Sequence, residues 1–215
     1  MRHALALALA AVFSVAGFAA TAQAEDEGFV SLFDGKSLQG WTPVNSSAGN
    51  WLVQDGLLVT KGQGGGWLST DKVYKDFTLK LEFRVEKGGN SGVFIRSPHS
   101  GDPAYSGMEL QVLDDDDDQY KTLKPFQYTG SVYGVVAAKR GHTKAPGEWN
   151  QMEITAKGSK ITVKLNGTTI VDADLSEHSD AAKAHPGILR ADGYVGLQSH
   201  SDPVKFRNIS IKELK

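Results

Sequence analysis

Strict alternation of apolar and polar residues dominates the chain. It is clearest in DFTLKLEFRVE (76–86), where Phe77, Leu79, Leu81, Phe83 and Val85 share one face and Thr78, Lys80, Glu82, Arg84 and Glu86 share the other. A period of two belongs to an extended strand with one face on a core and one in solvent. WLVQDGLLVT (51–60) predicts a hairpin turning at Asp55-Gly56. The stretch from Glu148 to Leu175 predicts a three-strand meander with turns at Lys157-Gly158 and Asn166-Gly167, and with Met152, Ile154, Ile161, Val163 and Leu165 in the core. GSVYG (130–134) reads as a further short strand, and GYVGLQSH (193–200) and VKFRNISIKEL (204–214) as a closing antiparallel pair. Regular strand spacing, glycine turns and no long helical period predict an all-β fold, an antiparallel two-sheet sandwich or jelly roll.

The central stretch carries a second message. GNSGVFIR (89–96) and GMELQVLD (107–114) both alternate, and so does GYVGLQSH. Met108, Leu110, Val112, Val195 and Leu197 are core positions, while the opposite face offers Arg96, Glu109, Gln111, Gln198 and His200. Three such strands side by side would pave one open sheet surface with polar groups, with Tyr133 nearby. The competing reading is ordinary solvated strand residues. The connecting loop SPHSGDPAYSG (97–107) is too long for a tight turn and carries His99, Asp102 and Tyr105.

The chain opens with a basic residue, an apolar run and Ala22-Gln23-Ala24, the pattern of a secretory signal peptide over residues 1–24. A single domain over 25–215, periplasmic or secreted and without membrane insertion, is the expectation. With no cysteine, its core must hold without disulfides. A formal charge of −2 gives no electrostatic case for nucleic acid, and nothing points to a protein partner. Gly62 to Gly66 lacks the Lys-Ser/Thr and the following helix of a phosphate loop. Trp67 is read as core or rim packing before sugar stacking. The acidic run Asp114–Asp118 reads as a solvated loop, with Ca²⁺ binding by Asp115 to Asp118 as the alternative. His178 and His185 lack a third partner at metal-ligand spacing and are read as surface residues.

LFDGKSLQGW, WLVQDGLL, YKDFTLKLEFRV, GNSGVFIR, GMELQVLD, GSVYG, PGEWNQMEI, ITVKLNG, GYVGLQSH and VKFRNISIKEL together resemble the 3-keto-disaccharide hydrolase family, across Phe29 to Leu214. The resemblance implies a concanavalin A-like jelly roll acting on a small saccharide whose C3 hydroxyl has become a ketone. A C3 ketone acidifies the C2 hydrogen. Removal of that hydrogen, loss of the C1 substituent and addition of water need a base, an electrophile for the enolate oxygen and a proton donor.

The usual pair of glycosidase carboxylates does not fit the central strand. Glu109 and Asp114 would stand roughly 16 Å apart at ~3.3 Å per residue, against about 5–9.5 Å for such a pair, and they face opposite sides. Under the resemblance, Arg96 is expected to meet the enolate oxygen, with Glu109 ionised beside it. His200 is then the base, and Gln111, Gln198 and Tyr133 bind substrate. Should Glu109 instead sit away from Arg96 in an apolar pocket, base and orienter exchange roles. A non-catalytic carbohydrate-binding module and an interaction domain without sugar chemistry are the competing classes.

Overall fold

The structure, a computed structural model, describes residues 28–63 and 65–215; the expected signal peptide lies outside them. Among the described residues thirteen strands follow one another: β1 (Val30–Ser31), β2 (Trp41–Val44), β3 (Trp51–Gln54), β4 (Leu57–Thr60), β5 (Trp67–Tyr74), β6 (Phe77–Val85), β7 (Asn90–Ser97), β8 (Met108–Leu113), β9 (Asn150–Lys157), β10 (Lys160–Leu165), β11 (Thr168–Asp174), β12 (Gly193–Gln198) and β13 (Val204–Glu213). They form two antiparallel sheets. The larger has eight strands in the order β11-β10-β9-β6-β13-β4-β3, with β1 added on β13; the smaller has five, in the order β2-β5-β12-β7-β8. The fold is therefore the all-β two-sheet sandwich read from the alternation.

The core lies between the sheets and follows the period of two. Phe77, Leu79, Leu81, Phe83 and Val85 of β6 are buried, and their even-numbered neighbours Thr78 to Arg84 are partly exposed. Met108, Leu110 and Val112 of β8, with Val195 and Leu197 of β12, meet them from the smaller sheet. Asp55 (φ 52) and Gly56 (φ 76) turn the β3–β4 hairpin, two left-handed residues as its twist requires. Trp67 is buried, in contact with Phe94 and Ala104.

Two expectations from the pattern fail. The closing strands are not partners: β12 pairs with β5 and β7, whereas β13 pairs with β4, β6 and β1. Alternation specifies which face of a strand is buried but not which sheet it joins. GSVYG is not a strand either. It runs beside β8 through one bridge, Leu110 with Val132, and turns back on itself at Val136.

The acidic run is also not a solvated loop throughout. Asp114 accepts from the Gly88 N–H at 2.9 Å, and Asp115 accepts from both the N–H (2.9 Å) and the hydroxyl (2.7 Å) of Thr129. Both are buried. Burial raises the Asp115 pKa, against the Thr129 hydrogen bonds and the Arg140 charge. Asp117 caps a turn through Gln119, and Asp118 pairs with Lys121. Oxygens of Asp115, Asp117 and Asp118 thus serve backbone N–H groups, the Thr129 hydroxyl and a neighbouring lysine, while Asp116 is exposed. Among the described residues no cluster of three or more His, Asp or Glu has metal-ligating geometry.

Candidate active site

The outer face of the five-stranded sheet is a grid that the register defines. One row runs Glu109 (β8), Phe94 (β7), Gly196 (β12), Ser69 (β5) and Thr42 (β2). In the next row Gln111 lies opposite Gly92, and Gln198 opposite Trp67. The two glycines are where large side chains lie flat. A β-carbon at Gly92 would stand 2.1 Å from Glu109 Oε1, and one at Gly196 would stand 2.1 Å from Trp67 Cε3. Glu109 is thereby laid across β7 towards β12, where the Gln198 side chain hydrogen-bonds to it.

The loop after β7 folds back over this face. Asp102 caps a single helical turn, α1 (Pro103–Ser106), by accepting from the Ala104 N–H at 3.0 Å. Ala104 then packs on Trp67 and Phe94. The Trp67–Phe94 part of a face expected to be open is therefore covered, and beside it Glu109 is only 4 % exposed. Burial, with a smaller contribution from the Asp102 charge, pushes the Glu109 pKa up to about 8 against the Gln198 hydrogen bond. A carboxyl group held there exchanges its proton near neutral pH, as a general acid or base must.

Tyr133 reaches the same place without a strand. Its N–H donates to the Glu109 carbonyl at 2.9 Å, which makes it the cross-strand neighbour of Glu109 beyond the edge of β8. Tyr105 of α1 packs edge-on against Tyr133, with centroids 6.5 Å apart, and stacks on His185 at 4.9 Å. Burial raises the Tyr105 pKa, and Tyr133, Asp102 and Glu109 push it the same way. Tyr105 therefore holds its proton and stays a donor. Gln198 Oε1 is buried and without a hydrogen-bond partner, an acceptor suited to a hydroxyl group.

Arg96 does not belong to this group. Its backbone is left-handed (φ 49), and β12 carries a register shift between Tyr194 and Gly196 opposite it. These irregularities break the parity that would set its side chain beside Glu109. Its guanidinium instead donates to Lys75 O twice (3.0 and 2.9 Å), Gly158 O (2.7 Å), Arg190 O (3.2 Å) and Asp76 Oδ1 (3.2 Å). Those five contacts use all five N–H groups of an arginine, so Arg96 has none left for an enolate. It ties the end of β7 to the β5–β6 connection, the β9–β10 turn and the segment before β12.

His200 is displaced for a simpler reason. β12 ends at Gln198, and His200 lies beyond it, exposed, with Nδ1 2.9 Å from Ser201 Oγ. Of the predicted residues, the fold gathers Glu109, Gln111, Gln198 and Tyr133 and leaves Arg96 and His200 outside.

Two other histidines lie against this face. His99 stacks on Tyr194 at 3.8 Å, and its Nε2 is 2.8 Å from Ser69 Oγ. The same hydroxyl donates to Thr70 O at 3.0 Å. His185 is 9 % exposed, not a surface residue; burial lowers its pKa, the Ala104 carbonyl opposes that, and Nδ1 has no partner. Its sequence context, AHPG, carries no periodic signal, so only the loop's docking beneath α1 reveals it.

Comparison with known proteins gives this geometry its setting. The model of the 3-keto-alpha-glucoside-1,2-lyase-like domain matches residues 28–212. A 3-keto-disaccharide hydrolase of Bacteroides thetaiotaomicron is 28 % identical over 87 % of this chain and 79 % of its own. A candidate glycosyl hydrolase from Parabacteroides distasonis superposes with a TM-score of 0.77 at 31 % identity, covering 86 % of this chain and 99 % of that one. The carbohydrate-binding module CBM66 of Bacillus subtilis, at 17 % identity and TM-score 0.57, covers 81 % of this chain and 96 % of its own and shares the fold alone. These relationships make the protein a hydrolase-type enzyme. The chain belongs to the 3-keto-alpha-glucoside-1,2-lyase-like domain family.

Proposed function

We propose that this protein cleaves 3-keto-glycosides, among them 3-keto-disaccharides, by elimination followed by hydration. The observation that carries the reading is Glu109, a buried carboxyl group whose pKa of about 8 suits reversible proton transfer near neutral pH. With Arg96 committed elsewhere, base and orienter exchange roles relative to the expectation from sequence. Glu109 takes the C2 proton, and the C2–H electron pair becomes an enolate on the C3 oxygen. Tyr105, protonated and close enough to feel the Glu109 charge, is the candidate donor to that oxygen. Gln111 and Gln198 bind sugar hydroxyls, Gln198 through its unpartnered Oε1. Collapse of the enolate breaks the C1–O bond, and water then adds across C1 and C2.

The family's lyase description and the hydrolase relative support a route that eliminates first and hydrates second. The leader-like first residues support action outside the cytoplasm. The test is turnover of a 3-keto-disaccharide and of its unoxidised parent by the purified protein and by Glu109→Gln. The expected result is cleavage of the keto substrate only, at least about 100-fold slower in the variant. Equal turnover of the unoxidised sugar would favour a two-carboxylate route with Asp102, whose charge already acts on Glu109. Binding without any turnover would favour a carbohydrate-binding module.

A further inference from the structure

A hydrogen bond beside Glu109 has a direction that the backbone fixes. The Lys124 N–H can only donate, and it donates to Gln127 Oε1 at 3.0 Å. Gln127 therefore turns its other side-chain atom, Nε2, towards the Tyr133 hydroxyl at 2.8 Å. An amide nitrogen is a donor and not an acceptor, so the phenolic oxygen must accept. The Tyr133 proton then points away from Gln127, and among the described residues the hydroxyl has no second partner. Tyr133 is the cross-strand neighbour of Glu109 through its N–H and the adjoining Leu110–Val132 bridge. Residues so paired share a sheet face with β-carbons about 5 Å apart. Val132 and Leu110 face the core, so Tyr133 and Glu109 face the site.

From this geometry we infer that Tyr133 is the proton donor to the departing glycosidic oxygen, and that Gln127 is the positioning residue that keeps its proton aimed there. The inference rests on the elimination reading and supplies its missing acid. The steps balance. Glu109 takes the C2 proton, the C1–O bond breaks with its electron pair on oxygen, and that oxygen takes the Tyr133 proton. Water then bonds to C1, its proton returns to the Tyr133 phenolate, and Glu109 returns a proton to C2. Both residues end as they began, and the net change is hydrolysis.

The experiment is a double-mutant cycle read on two substrates. One is a 3-keto-disaccharide; the other is a 4-nitrophenyl 3-keto-glucoside, whose leaving group departs without being protonated. Gln127→Glu keeps an acceptor for Lys124 but presents a carboxylate oxygen to Tyr133 and so reverses the hydrogen bond. On the disaccharide, Tyr133→Phe should lower kcat by about 100-fold and Gln127→Glu by about 10-fold or more, with KM changed little. Gln127→Glu should add nothing in the Tyr133→Phe background, and both variants should release nitrophenolate at close to the parent rate in a single turnover, before the hydration step in which Tyr133 also takes part. Equal losses on both substrates, or the same Gln127→Glu loss with and without the Tyr133 hydroxyl, would overturn the assignment. Glu109→Gln separates this failure from that of the underlying reading. It should be slow on both substrates, and full activity in it would sink the elimination route itself. Should Gln127→Glu not fold, the isosteric Tyr133→Phe comparison across the two substrates decides.

Discussion

The carboxylate of Glu109 lies on the backbone of Gly92: a β-carbon built there would be 2.1 Å from Oε1, 2.8 Å from the carboxyl carbon and 2.9 Å from Cγ. The glycine is not needed for its backbone angles, since its φ is not left-handed. It is needed for the space above it. What a methyl group displaces is the end of a flexible side chain, so the carboxylate moves while the sheet stays. Gly92→Ala should therefore lower kcat/KM by about 100-fold or more while costing under about 2 kcal/mol of stability. Steady-state kinetics and chemical unfolding on the same preparation check both halves.

Burial of Glu109 has a signature in stability. Its folded pKa, about 8, lies above the ordinary value of 4.5, so between those pH values the native state holds a proton that the unfolded state has released. Stability should fall as pH rises through this window, by up to about 1.4 kcal/mol per pH unit from this group. The contribution is fully present below about 4.5 and fully lost above about 8. Asp115, also raised by burial, acts in the same direction, so the comparison is with Glu109→Gln at each pH. A variant whose unfolding free energy follows the parent's in parallel from pH 4.5 to 8 would contradict the burial argument.

The alternation that made the sandwich legible also put Glu109, Gln111 and Gln198 on one face, because a period of two is a local property of backbone and side chain. It failed where the backbone stops being regular. Arg96 has the correct parity, but its left-handed φ and the facing register shift turn its side chain to the end of the sheet. His200 has the correct parity in a segment that is no longer strand. The sequence pattern was silent on α1 and on the Gln127–Tyr133 pair, and it left His185 as a surface residue although it is buried. These are brought to the site by loops, whose course depends on long-range docking and not on periodicity.

Arg96 should behave as a structural residue. Arg96→Lys keeps the charge but loses the planar fork that reaches Lys75, Gly158, Arg190 and Asp76. A loss of about 2–4 kcal/mol in chemical unfolding is expected, with kcat per folded molecule within about two-fold of the parent. An equally stable variant with turnover reduced 100-fold would restore Arg96 to the chemistry.

Asp115 offers a contrast within the acidic run. Its Oδ1 accepts from both the N–H and the hydroxyl of Thr129. Asp115→Asn can keep the acceptor, and Asp115→Ala cannot. The alanine variant should lose about 1–3 kcal/mol and the asparagine variant distinctly less. Thermal unfolding with and without Ca²⁺ or a chelator should shift neither variant nor parent. A Ca²⁺-dependent midpoint in the parent, abolished by Asp115→Ala, would restore the cation reading.

The central claim is that the C2–H bond breaks before the glycosidic bond, and deuterium reports this directly. Cleavage of a 3-keto-disaccharide in D₂O should yield a 3-keto-sugar carrying one deuterium at C2 per turnover, in excess of enzyme-free and Glu109→Gln controls. Departure of the leaving sugar admits solvent to exchange with Glu109 before water adds. Complete conversion to a product that retains only protium at C2 would contradict the account.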